Sequence, residues 1–464
     1  MGLIDRWRKP RARPRVAVVG LDGVGAPLVE ALADAGVMPR MAALRRAGTL
    51  ARMTSSIPTI SSVSWSGLMT GTNPGRHGIY GFTDVRRDSY AICFPNYGHL
   101  QAPTIWDVLG ARGLRSVVLN VPNTYPAKDI AGVLVSGFVA VRMERAVRPA
   151  RALAVLARHG YRIDVDYLDA DERPEAFFTD LLATLAARRA VFRHFLASED
   201  WDCFIGVITE SDRLHHYFWH QYTDPRAPWH QRFLEFYAAV DAAIGEIADL
   251  VAGETPLFIV ADHGHTLIES EFYPNVWLRE QGLLAFTTAR PRSIADIDPS
   301  SKVFVLDPGR IYLNLKGRFA RGVVEAGAEA EDLLARVSAG LAAVEYPGPA
   351  VNGVRRPVKA VYRRDDIYRG PQLAEAPDAV LHFHDGFDIK GAVGRGELFG
   401  RSPLTGMHTY DDALFYVNRP GLVLGALAIT DLAPTLVALL GVAPEQAMDG
   451  RVLFQRGEGG CVWR

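Results

Sequence analysis

Asp212 and His216 stand four residues apart in a stretch with helical patterning. On a helix that spacing puts both on one face, so a single cation can take a carboxylate oxygen and an imidazole nitrogen together. Asp262 and His263 are adjacent at the end of an apolar run, where the backbone leaves extended geometry and both side chains can turn to one ion. Asp22 directly follows another apolar run, and His408 sits in Gly406-Met407-His408-Thr409, which reads as a loop. Singly, each has a bland reading, because an Asp after a strand is a common cap or turn residue. Several carboxylates and imidazoles at one sheet edge are different, since they would repel or stay unsatisfied unless they shared cations. Oxygen and nitrogen ligation without cysteine suits Zn²⁺, with Mn²⁺ or Fe able to use the same side chains, and suits Ca²⁺ less well.

A nucleophile candidate lies in residues 58–71, which begin polar and continue with helical pattern. A serine at a helix start meets free amides and the positive end of the dipole, both favourable to an alkoxide and a bound phosphate. Ser61 or Ser62 can equally serve as an N-cap. A serine hydroxyl needs a base or a metal to activate it, and metal ligands are expected at the same edge. Ser64, Arg213 and His265 are weaker candidates for holding substrate, with Arg310 a further possible clamp. His215 neighbours a ligand candidate but points about 100° away on a helix. His77 reads as a turn residue, and Trp65, Trp219 and Tyr217 lie close enough to stack on a substrate or to fill the core.

The elements that must position these groups alternate. Residues 16–19, 116–120, 133–135, 203–208 and 257–261 are short apolar runs of buried-strand type. Amphipathic stretches separate them, with Phe177, Phe178, Leu181, Leu185, Phe192 and Phe195 at helical spacing on one. The alternation predicts an α/β fold with a mostly parallel central sheet covered on both faces, and ligands bound beyond the carboxyl ends of the strands. Residues 291–402 have a different texture, rich in turn signals, and read as an inserted α+β lobe with a helix near residues 331–344. Strand and helix character returns at residues 424–440. The expected organisation is a basic tail (1–15), a discontinuous catalytic domain (16–290 and 403–454), the lobe (291–402) and a C-terminal tail (455–464).

The 464 residues can bury a large core without staples. Lys+Arg is 51 against Asp+Glu 52, for a net charge of −1, which argues against a dedicated nucleic-acid partner. The three cysteines lie far apart and exclude a disulfide framework. No apolar run reaches about 18 residues, so no membrane segment is expected. The basic start is followed by too short an apolar stretch for a signal peptide. These readings point to a cytoplasmic protein of undetermined oligomeric state.

In order along the chain, the motifs resemble the alkaline phosphatase superfamily, and within it the type I phosphodiesterase and nucleotide pyrophosphatase branch. Val18-Val19-Gly20-Leu21-Asp22-Gly23 resembles the first metal motif, and residues 70–79 the segment after the nucleophile helix. Asp212-Arg213-Leu214-His215-His216 resembles the Asp-x-x-x-His motif, Ala261-Asp262-His263-Gly264 the Asp-His-Gly motif, and Gly406-Met407-His408 the last histidine motif. The resemblance runs from Val16 to about Phe454 and implies an alkaline-phosphatase-like three-layer sandwich. It implies Ser61 as nucleophile and two divalent ions, one held by Asp212, His216 and His408, the other by Asp22, Asp262, His263 and the Ser61 oxygen. The implied activity is hydrolysis of a small phosphoester through a phosphoryl-serine, as a phosphodiesterase or phosphatase. A phosphomutase on the same scaffold and a non-catalytic metal-binding protein stay open as alternatives. Sulfatase chemistry is disfavoured, because residues 61–64 lack the Cys, Pro and Arg of that branch.

Overall fold

The computed structural model describes residues 13–251, 253–445 and 447–454. The expected C-terminal tail and most of the basic N-terminal tail fall outside these residues. The first strands of the main sheet are, in chain order, β1 (Val16–Leu21), β2 (Thr49–Met53), β3 (Ser116–Val121), β4 (Gly132–Ser136), β5 (Val147–Arg148), β6 (Cys203–Ile208) and β7 (Leu257–Val260); the five apolar runs give β1, β3, β4, β6 and β7, while β2 and β5 carry no such run. Later come β8 (Gly264–Leu267), β9 (Gly406–Thr409) and β10 (Ala413–Val417). The main sheet runs in the order β2-β10-β7-β1-β6-β3-β4-β5. Its centre is parallel from β7 to β4, while β10 and β5 run antiparallel to their neighbours. Every residue of β1, β3, β6 and β7 is buried, which is why these strands read as continuous apolar runs.

The helices that matter for the site are α1 (Ser61–Thr70), α2 (Pro174–Ser198), α3 (Glu210–Thr223) and α4 (His230–Leu250). On α2 the buried face is Phe177, Phe178, Leu181, Leu185, Phe192 and Phe195, the helical stripe the sequence shows. Helix α1 is buried on all sides and stops at Gly71, whose left-handed backbone (φ 68°) lets its N–H close on Gly67 O. A buried ion pair, Arg188 Nε to Glu210 Oε1 at 2.7 Å, ties α2 to the start of α3 with both side chains fully buried.

A second hydrophobic core forms around a four-stranded sheet (Val303–Leu306, Arg310–Leu313, Ala379–Phe383, Val358–Arg363) and the helix Ala328–Ala343. It extends beyond residues 291–402, taking in Phe272, Leu278 and Leu284, and from far upstream Val85 and Tyr90. Two local expectations are corrected. The returning strand is Ala413–Val417 and not part of 424–440, which instead forms a short 3-10 turn (Ile429–Asp431) and the helix Leu432–Leu439. His408 lies on a strand and not a loop, because β9 pairs antiparallel with β8, a partner too distant in sequence to leave a local signal. Among the described residues no helix is long and apolar enough to cross a membrane.

Candidate active site

Ser61 opens α1, following Ile60 in extended backbone at the N-cap. The amides of a first helical turn have no partner within the helix and face whatever lies ahead of it. Ahead of α1 lie the carboxyl ends of β1, β6 and β7. Asp22 follows β1, with its N–H bonded to Ile208 O (2.9 Å). Ser61 Oγ donates to Asp22 Oδ1 at 3.1 Å and lies 3.2 Å from His263 Nε2. Trp65, one turn along α1, donates its indole N–H to Asp22 Oδ2 (3.2 Å), so this tryptophan orients a carboxylate and is not free to stack on a ligand.

Asp22, Asp262 and His263 converge in one donor group, and Asp212, His216, His265 and His408 in a second. In the second group, Asp212 Oδ1 is 3.3 Å from His216 Nε2, 3.5 Å from His408 Nε2 and 3.7 Å from His265 Nε2. The facing Nε2 atoms of His216 and His408 are 3.0 Å apart. In the first, His263 Nε2 is 3.3 Å from Asp262 Oδ2 and 3.7 Å from Asp22 Oδ1. Donors on a tetrahedral Zn²⁺ with bonds of about 2.0–2.2 Å stand about 3.3–3.6 Å from one another, and both groups have nearly that spacing.

The tautomers fit the same purpose. His216 donates from Nδ1 to Gly406 O (2.9 Å), His408 to Thr59 O (3.0 Å), His263 to Gly264 O (3.0 Å) and His265 to Gly23 O (3.0 Å). A carbonyl only accepts, so each Nδ1 holds a proton and each Nε2 is turned to the centre, the atom a cation would take, which is the usual way outer partners aim a metal-binding histidine. Asp212 Oδ1, Asp262 Oδ2 and His265 Nε2 are buried without any hydrogen-bond partner. Burial, then the Asp262 and Asp212 carboxylates, push Asp22 well above the usual carboxylate range. Burial and Asp212 push Asp262 up to about 7. Burial opposes the charge of Asp212 as well, but His216 and His408 beside it hold it well below the usual range. Burial first of all drives His263 and His265 well down, into the neutral form that ligates. Three carboxylates and four imidazoles converging in two groups, with three of their donor atoms buried and unpartnered, form a donor set suited to divalent cations.

Residues 16–411 match the family model described as type I phosphodiesterase / nucleotide pyrophosphatase. The chain belongs to that family. This family member is accordingly a phosphoric ester hydrolase, and its fold is that of the alkaline phosphatase superfamily. Among solved structures it is similar to phosphonoacetate hydrolase from Sinorhizobium meliloti, seen in complexes with phosphonoformate and with phosphonoacetate. Each has a TM-score of 0.62 and 19% identity, over 91% of this chain and 94% of that one. It is also similar to murine ectonucleotide pyrophosphatase / phosphodiesterase 5, with a TM-score of 0.55 and 15% identity, over 93% of this chain and 96% of that one. No curated protein matches the chain.

A cleft of about 270 Å³ opens onto Ser61, Asp22, Asp212, His216 and His408. Arg213 lines it too, paired with Asp164. The other sequence candidates divide. Ser64 does not line this cleft; its hydroxyl bonds those of Ser55 (3.0 Å) and Ser56 (2.7 Å) behind α1. His265, expected only as a weak substrate contact, stands in a donor group because β8 and β9 set it directly opposite His408. His215 turns away, bonding Gly23 O and Tyr237. Arg310 is buried, with its guanidinium on Asp307 O and Thr83 O. His77 is buried and receives the Ile79 N–H. The sequence reading missed Phe82, Phe138 and Tyr167, which line the cleft, and Asp164, which fixes Arg213. Asp164 sits in a stretch with no readable motif.

Proposed function

We propose that this family member hydrolyses small phosphoesters at a two-ion centre through a phosphoryl-Ser61 intermediate. The observation that carries the reading is Ser61 at the mouth of α1, in hydrogen-bond contact with Asp22 and His263 while a second set of aimed donors lies across the cleft. Asp22, Asp262, His263 and Ser61 Oγ would hold one ion, and Asp212, His216, His265 and His408 the other, with Zn²⁺ the metal this ligand chemistry favours. When bound, such a pair neutralises the three carboxylates and stabilises the charge developing on attacking and leaving oxygens.

Ser61 lies at a helix N-terminus, which favours an anionic oxygen and a phosphoryl group beside it. Its O–H already points at Asp22 Oδ1, so the proton has an acceptor as Ser61 Oγ bonds to phosphorus. The ester P–O bond on the opposite side breaks, and the leaving oxygen takes a proton from solvent and departs as the alcohol. Water then attacks phosphorus and releases one proton to solvent, the bond from phosphorus to Ser61 Oγ breaks, Oγ recovers its proton from Asp22, and the phosphate product leaves. Phosphoryl transfer asks a protein chiefly for positioning and charge stabilisation, and the buried, pre-aimed residues of the site supply the positioning.

The test is turnover of aryl phosphomonoesters and phosphodiesters by wild type and Ser61→Ala, alongside metal analysis of both purified proteins. Wild type is expected to carry about two ions per chain. Ser61→Ala is expected to lose at least about 10³-fold in kcat while still folding. Equal turnover by the two proteins would overturn the proposal.

A further inference from the structure

Two protein cations line the cleft that holds the nucleophile: Lys390, paired with Asp388 at 2.7 Å, and Arg213. Arg213 follows Asp212 on α3 and lines the same cleft as Ser61, His216 and His408, with a side chain only 13% exposed. Its plane is held between two rings, 4.2 Å from the centroid of Phe138 and 4.4 Å from that of Tyr167. Phe138 is itself braced edge-to-face by Phe82 at 5.2 Å. Asp164 takes the side edge of the guanidinium, from Nε at 3.1 Å and Nη2 at 2.8 Å, and Asp212 Oδ2 takes a longer bond from Nη1 at 3.4 Å. A guanidinium has five N–H donors in a fixed fork. These contacts leave one N–H on each terminal nitrogen. Among the described residues no further acceptor takes those two N–H groups, which leaves them to water or to a ligand in the cleft.

The geometry points to a phosphate clamp that selects for a terminal phosphoryl group, making the preferred substrate a phosphomonoester and not a diester; this inference rests on Ser61 being the nucleophile. In-line displacement puts the attacking and leaving oxygens at opposite apices and three substituents around the equator. A monoester dianion has three terminal oxygens there, enough to meet the cations and both free N–H groups of Arg213. In a diester one of the three is an ester oxygen that carries a carbon and no charge. It satisfies the fork poorly and brings bulk against the Phe138–Arg213–Tyr167 stack. Planar, bidentate recognition of this kind is what arginine does and lysine does not.

The test compares p-nitrophenyl phosphate with bis(p-nitrophenyl) phosphate on the metal-loaded full chain. Wild type is expected to have the higher kcat/KM on the monoester. Arg213→Ala is expected to lose about 10²–10³-fold on the monoester, the range for removing a transition-state donor, and less than about 10-fold on the diester. Arg213→Lys keeps a charge without the fork and is expected to recover only a minor part; it also carries the test should the alanine variant fold poorly. Asp164→Asn, which loosens the fork without removing it, is expected to fall between. Calorimetric binding of inorganic phosphate is expected to weaken at least about 10-fold in Arg213→Ala at unchanged metal content. Equal losses on the two esters, or a wild-type preference for the diester, would overturn the clamp. If Ser61→Ala is as active as wild type, the phosphoryl-Ser61 reading itself is what fails.

Discussion

Gly23 is the residue through which His265 can be tested as part of the donor set without being touched. It follows Asp22 in left-handed backbone (φ +72°), and its carbonyl receives Nδ1–H of His265 at 3.0 Å. A Cβ built on Gly23 would lie 2.7 Å from both Cε1 and Nδ1 of the His265 ring, and 3.3 Å from Asp212 Oδ1. The Gly23→Ala substitution therefore has two separable effects. The left-handed backbone costs an L-residue about 1–2 kcal/mol, which appears as lost stability with or without metal. The Cβ also forces the imidazole out of register with its orienting carbonyl. Loss of such an outer partner weakens metal binding about 10–100-fold, or about 1.4–2.8 kcal/mol. Competition between the protein and a chromophoric chelator, titrated with Zn²⁺, reads this directly. One ion is expected to bind 10–100-fold more weakly, and the other nearly as in wild type, because the Gly23 N–H to Asp262 Oδ1 bond (3.1 Å) survives the substitution. Wild-type affinity for both ions in a folded Gly23→Ala protein would refute the assignment of His265 as a ligand.

Two other outcomes are expected. Arg188→Met breaks the fully buried pair and leaves Glu210 buried without its cation, so urea unfolding should show a loss of about 3–5 kcal/mol; a loss under 1 kcal/mol would contradict the pair's isolation from water. In metal-free protein the Asp262 carboxyl is raised to about 7, above its unfolded value, so its contribution is present at low pH and is lost as pH rises through about 7. His263 and His265, held neutral by burial, act with the opposite sign over the same range, so the comparison is with Asp262→Asn: chelator-treated wild type should lose more stability than that variant between pH 5.5 and pH 8, and added Zn²⁺ should remove most of the difference.

Much of this site is visible in the sequence because short-range chemistry writes itself locally. Asp22 and Asp262 close buried apolar strands, Asp212 and His216 share a helix face, and Ser61 follows a polar entry into a helical pattern. What stayed hidden depends on contacts between distant residues. The histidine at 408 reads as a loop residue because its strand exists only by pairing with β8. The sequence pattern puts the returning strand within residues 424–440, yet it is Ala413–Val417, held on both edges by β2 and β7. Ser64 has the right residue type one turn from the nucleophile, yet two hydroxyls behind the helix claim it. The Asp164 carboxylate and the two rings around Arg213 come from segments without motifs, and only folding brings them together.

The β8–β9 ribbon has a consequence for how such a protein can vary. The chain leaves the main sheet at β8, builds the second core, and returns through β9, with His265 and His408 as paired residues at the base of that excursion. A slip of one residue in the pairing would turn one of the two imidazoles to the opposite face, so the alignment of two short strands is what keeps both in the donor group. The length between them is a far weaker constraint, because the entropy of closing a long loop grows only logarithmically. Insertions and deletions in the excursion can thus remodel what reaches the cleft while the ribbon keeps the ligands in step.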